Sequence, residues 1–126
     1  MKAPGPKVAI KWLSGPEKQD YPAAHSYLSL TFEEETVDRL VKKLKKAPVV
    51  QFKAKDVFRA SALALLGADN YHVQQDVKKV KAGESLSPIL LVREPELCRV
   101  IIADGYHRMC AVYSFDEDAV IPCKII

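Results

Sequence analysis

The sequence predicts a small α/β (α+β) domain, a mixed sheet with flanking helices preceded by a helical extension. Strand-type apolar runs, several of them rich in β-branched residues, recur at residues 49–52, 89–92, 99–103 and 120–126. Between them lie stretches whose apolar residues repeat at helical spacing. The chain has 126 residues, 48% hydrophobic and 28% charged, a composition that suits one globular domain with its own buried core.

Taken in order, Pro4, Gly5 and Pro6 suggest a loose arm, and residues 7–13 alternate Val8, Ile10 and Trp12 in a short strand. Residues 22–30 read as a short helix or as irregular chain. The clearest helix spans residues 31–46. Thr31 and Glu34 have the spacing of a capping box, and Val37, Leu40, Val41 and Leu44 form one apolar stripe, suited to a core or a dimer face. Pro48 ends it. After the strand at 49–52, Asp56 is placed to cap a helix reaching about residue 66, with Gly67 beyond its end. The polar turn Ala68-Asp69-Asn70 leads into a second helix, residues 71–82, with Val73, Val77 and Val80 inward and Gly83 as its stop. Ser87 and Pro88 open the strand at 89–92, and a turn containing Pro95 leads to the strand at 99–103. A helix at 107–115, an acidic turn at 116–118 and a last strand at 120–126 follow. Residues 1–48 form an extension packed on a core unit of residues 49–126, all within a single domain.

Composition narrows the functional classes. The net charge is +3, and the densest basic group, Lys42, Lys43, Lys45 and Lys46, ends a helix that begins with Glu33, Glu34 and Glu35. That order suits a solvated helix complementing its own dipole better than a nucleic-acid stripe. Cys98, Cys110 and Cys123 are odd in number and irregular in spacing, which argues against a disulfide framework, and no paired motif suggests zinc. Residues 1–13 lack the apolar run and cleavage site of a secretory signal, and no stretch approaches the roughly 18 apolar residues of a membrane span, so the cytoplasm is the expected compartment.

The chemistry concentrates at Asp104-Gly105-Tyr106-His107-Arg108, where a strand hands over to a helix. Gly105 allows a tight turn or a close ligand approach. The following helix opens with free N–H groups and a positive dipole end. Arg108 adds a guanidinium fork matched to phosphate, and His107 can donate to the same anion or shuttle a proton. Asp104 can hold a metal ion or act as a base. A structural reading of the same residues stands beside this one: Asp104 as a helix cap, Arg108 paired with Asp116, Glu117 or Asp118, and the aromatic rings partly buried.

The segment Ile101 to Arg108, followed by Ala111 and by Ile121-Pro122-Cys123-Lys124, resembles the ParB/sulfiredoxin-like superfamily. Sulfiredoxins carry Gly-Gly-Cys-His-Arg at this place, ParB nucleotide domains Gly-Glu-Arg-Arg, and free serine kinases of the same fold Asp-Gly-His-His-Arg, which is nearest to this chain. Leu86-Ser87-Pro88-Ile89 resembles the strand that precedes the motif. The resemblance covers roughly residues 49–126. It implies a nucleotide pocket in which Gly105, Tyr106, His107 and Arg108 hold phosphate, with His72, Gln75 and Lys79 adding contacts from the upstream helix; those three equally suit an exposed polar helix face. The implied ligand is ATP, ADP or CTP with Mg²⁺ on Asp104, or another phosphate-bearing small molecule.

Departures from the family matter. Tyr106 replaces the reactive cysteine of sulfiredoxins, so sulfinic-acid repair is not expected. The catalytic glutamate of the serine kinases has no clear counterpart; Asp56 and Asp69 are the nearest acids. The expected activity is a phosphotransferase or NTP hydrolase with Asp104 and His107 as catalytic groups. The alternatives are a non-catalytic ligand-sensing module, which could be a homodimer, and a ParB-like DNA-associated protein. The last is least favoured, because charge is mild and no helix-turn-helix segment is found.

Overall fold

A computed structural model describes residues 8–126. The proposed arm at residues 4–6 and the start of the first strand at Lys7 lie outside them. The elements are β1 (Lys11–Trp12), α1 (Asp20–Leu28), α2 (Glu34–Lys46), β2 (Val50–Lys53), α3 (Ala54–Ser61), α4 (Tyr71–Lys81), β3 (Ser85–Leu86), β4 (Ile89–Glu94), a 3₁₀ turn (Pro95–Leu97), β5 (Arg99–Asp104), α5 (Tyr106–Phe115) and β6 (Val120–Ile125). This is the mixed α/β architecture the sequence predicts.

The main sheet has the order β2-β6-β4-β5. β6 and β4 run parallel, and the outer strands β2 and β5 are antiparallel to their neighbours. β1 and β3 form a separate parallel pair, Lys11 opposite Ser85 and Trp12 opposite Leu86. Side chains alternate across a strand, so β4 shows how the layers are built. Ile89 and Leu91 enter a core with Val57 of α3, Val73 and Val80 of α4, Met109 and Val112 of α5, and Ile121 of β6. Leu90 and Val92 enter a second core on the other face, with Ala24 and Leu28 of α1 and Val37, Val41 and Leu44 of α2. An uninterrupted Ile-Leu-Leu-Val run is what a central strand covered on both faces requires. Each fully buried Leu or Ile there stabilises the fold by roughly 1.5–3 kcal/mol relative to exposure.

Lys124 is a charged residue in this interior. Its ammonium donates to the Lys45 carbonyl at 2.9 Å and stands over the Tyr21 ring. It thus neutralises the negative end of α2 while its stem lies in the sheet.

Several local expectations are corrected. The Thr31–Glu34 capping box does not form. The backbone N–H groups of Thr31 and Phe32 donate to the Leu28 carbonyl, closing α1, so α2 starts at Glu34 with Glu33 at its cap position and no side-chain cap. Asp56 does not cap α3. It sits inside the first turn, and the leading N–H groups of Ala54 and Lys55 donate instead to the carbonyls of Ala119 and Glu117. α3 also ends at Ser61 rather than near residue 66. The Ser61 hydroxyl donates to the Phe58 carbonyl and accepts from the Leu63 N–H, and Ala62 adopts a left-handed φ of 56°. The first strand is confined to two residues, and β3 is a strand the sequence reading did not anticipate.

The cysteines divide by burial. Cys98 is exposed, whereas Cys110 and Cys123 are buried, and burial pushes the Cys110 thiol up and that of Cys123 up to about 12. An aromatic disulfide reagent at mildly alkaline pH should therefore titrate Cys98 rapidly in the native protein and all three thiols only after denaturation. Cys98→Ser should abolish the rapid phase.

Candidate functional site

β5 ends in a bulge. Leu90 of β4 faces Asp104 while its neighbour Leu91 faces Ile102, so Ala103 is the extra residue. Bulges re-aim the side chains beside them, and this one lies immediately before the Asp104–Arg108 segment. Gly105 then takes φ +109°, ψ 18°, as the cap residue of α5. A Cβ there would lie 2.8 Å from Ile89 Cγ1 and 3.0 Å from Arg108 Nη2, so the position requires glycine for both backbone and space. No side chain caps α5, and its first turn holds no acid. The first intrahelical bond runs from Met109 N–H to the Gly105 carbonyl, which leaves the N–H groups of Tyr106, His107 and Arg108 without intrahelical acceptors.

Arg108 turns back over this corner. Its Nη2 donates to Asp104 Oδ2 at 2.7 Å and to the Pro88 carbonyl at 3.2 Å, while its buried Nε has no partner. Asp104 is therefore neither a helix cap nor free, and Arg108 does not pair with the acidic turn at 116–118. The carboxyl of Asp20, a buried residue at the start of α1, lies against that of Asp104. Burial raises the Asp104 pKa and Asp20 adds to the rise, with Arg108 opposing both.

The second wall comes from α4. Asn70 caps that helix, its Oδ1 accepting from the N–H groups of His72 and Val73, so the α4 terminus is satisfied internally. Residues 72, 75, 76 and 79 recur on one face at helical spacing. His72, Gln75, Asp76 and Lys79 join Asp104, Gly105, Tyr106, His107 and Arg108 around one cavity of about 250 Å³. Every ligand-contact residue expected from the sequence thus lines a single cleft between α4 and α5. Asp56 and Asp69, the acids considered as counterparts of a kinase glutamate, do not line it; Asp56 belongs to an apolar groove beside Phe52 and Leu91.

Two acids near this cleft were not anticipated. The signal for Asp76 is its helical spacing from His72 and Lys79, which places it on the same face of α4. Burial raises its pKa, and Arg108, Lys79, His107 and His72 oppose the rise, in that order. Asp20 carried no local signal, because its link to Asp104 is tertiary. The Tyr106 hydroxyl donates to the Ala64 carbonyl, tying the segment after α3 to the rim.

The His107 ring packs between those of His72, at 4.8 Å between centroids, and Tyr106, at 5.3 Å. Its pKa is lowered, first by burial, then by His72 and by Arg108, with Asp76 opposing. A histidine that resists protonation in the fold contributes stability fully above the unfolded pKa of about 6.5, and that contribution is lost as pH falls toward the folded-state value. His107→Gln should therefore lose less Tm than the wild type as pH is lowered from about 7 to 5, measured by thermal denaturation in parallel buffers.

Among the described residues no group of three or more His, Cys, Asp or Glu side chains gathers in metal-holding fashion, and Asp104 Oδ2 is engaged by Arg108. Among the described residues no helix is long and apolar enough to cross a membrane. Comparison of the chain with protein-family models, curated proteins and solved structures gives no match.

Proposed function

We propose that the α4–α5 cleft binds a phosphate-bearing ligand, with nucleotides (ATP, ADP or CTP) as the first candidates. One observation carries the reading: residues with cationic and donor side chains from two separate helices, among them the first residues of the uncapped α5, line one polar cavity. Backbone N–H groups at a helix start favour anions, and a fixed guanidinium and a lysine add charge. The sequence resemblance to ParB/sulfiredoxin-like nucleotide domains supports the same ligand class. A volume of about 250 Å³ lies below the roughly 300–1,000 Å³ of clefts that bury a drug-sized ligand. It suits phosphates and the atoms next to them, with a base lying outside.

Within this reading Arg108 and Lys79 hold charge, and His107, favoured in its neutral form, is the group able to accept a proton at the rim. Asp104 acts through Arg108 as a positioning residue. A sensing role without turnover is the second reading, and the engagement of Asp104 by Arg108 favours it. The test is thermal stabilisation by ATP, ADP and CTP, each with and without Mg²⁺, followed by an assay of phosphate release. Binding should raise the apparent stability by mass action, about 2.7 kcal/mol at a hundred times Kd. Stabilisation with turnover supports the phosphotransferase or hydrolase, stabilisation alone supports the sensor, and no response to any nucleotide rejects the nucleotide reading.

A further inference from the structure

Asp76 is an acceptor placed among donors. It lines the phosphate cleft with His72, Gln75, Lys79, His107 and Arg108, and the four cationic or potentially cationic groups all act on its carboxyl. No hydrogen bond or ion pair within 4 Å joins Asp76 to another side chain among the described residues, and Arg108 already has Asp104 as its counter-ion.

A carboxylate can accept hydrogen bonds but cannot donate them. A fully ionised oxyanion drawn in by Lys79 and Arg108 offers Asp76 only lone pairs and a like charge. An anion that carries a hydroxyl turns the same contact into a charge-assisted hydrogen bond. The carboxylate is then a device of selection, penalising the wrong anion more than it rewards the right one.

We propose that this cleft selects anions bearing their own hydroxyl donor, with Asp76 accepting from it. The hydroxyl can be the P–OH of a protonated phosphate or an alcohol one or two carbons from a phosphoryl group, as on a sugar phosphate. The inference rests on the phosphate reading above and specifies which phosphates it admits.

The experiment is calorimetric titration of the full chain with two matched pairs at neutral pH. Phosphate and sulfate differ in the P–OH; glycerol 3-phosphate and propyl phosphate differ in the alcohol. The wild type should bind the hydroxyl-bearing member at least ten-fold more tightly in one pair or both, and the pair that discriminates identifies the source of the hydroxyl. Asp76→Asn keeps the shape, removes the charge and adds N–H donors, so it should bring the ratio toward one, mainly by improving sulfate or propyl phosphate. Equal binding within both wild-type pairs overturns the inference whether or not the variant folds, as does an Asp76→Asn protein that retains the wild-type ratio. Failure of all four probes to bind overturns the phosphate site itself, and this inference with it.

Discussion

Arg108→Ala should strongly weaken the response to nucleotides and pyrophosphate and also weaken the fold, and the two losses should be separable. A charge-assisted contact to phosphate is worth roughly 1.5–3 kcal/mol, so affinity should fall on the order of 100-fold. The fold suffers for a different reason. The Asp104 and Arg108 side chains are 14% and 16% exposed, and removing the guanidinium leaves the Asp104 carboxylate buried against Asp20. Removing one member of a buried pair costs about 3–5 kcal/mol, and slightly less is expected for this partly exposed pair. Without Arg108 the Asp104 pKa rises further. A carboxyl raised in the folded state favours folding below its folded value and loses that advantage as pH rises through it. The stability deficit of Arg108→Ala should thus be larger at neutral pH than in mild acid. Asp104→Asn combined with Arg108→Ala should recover part of the stability, because no carboxylate is then left unpaired, and none of the affinity. Urea denaturation across pH checks the first statement and nucleotide titration the second. Equal ligand response in Arg108→Ala and wild type would remove the phosphate cradle from the account.

Gly105→Ala should be the most damaging single-methyl change near the site. At φ +109° an L side chain is strained, at a cost of about 1–3 kcal/mol. The added Cβ would also press on Ile89, wholly buried in the main core, and on the Arg108 guanidinium. Overpacking of this kind adds about 1–3 kcal/mol. A loss of about 2–6 kcal/mol is expected, which at a few degrees per kcal/mol lowers Tm by roughly six degrees or more. Displacement of Arg108 should reduce ligand affinity in whatever fraction remains folded. Gly15, where an added Cβ meets nothing within 4 Å, supplies the control: Gly15→Ala should change Tm little. Differential scanning calorimetry of the two variants checks the contrast.

The parts of this molecule legible in its sequence were those governed by short-range pattern. The Val37, Val41 and Leu44 stripe marked α2, and the β-branched run at residues 89–92 marked the doubly covered strand. The Asp104–Arg108 turn stood out because a glycine between an acid and an aromatic, an imidazole and a guanidinium falls where a strand meets a helix, a pattern open to both an anion site and a structural corner. What failed depended on distant chain. Thr31 has the chemistry of a helix cap, but its backbone is already closing α1. Leu63 to Leu66 reads as helix, but Ser61 diverts the backbone and the Tyr106 hydroxyl takes the Ala64 carbonyl from forty-two residues away. β1 and β3 hold only because they pair with each other. At the site, composition suggested Asp104 as a metal ligand or base, and the structure adds a pairing with Arg108 that the sequence reading did not include. The local pattern drew attention to these residues, and only tertiary contacts show how they are held.

The most direct measurement is an amide-resolved NMR titration of the ¹⁵N-labelled chain with pyrophosphate. The account expects saturable shifts confined to the amides of Tyr106, His107 and Arg108 and to the His72–Lys79 face of α4, all with one dissociation constant. Shifts centred instead on the lysines at the end of α2, or no saturable shift at the start of α5, would contradict it.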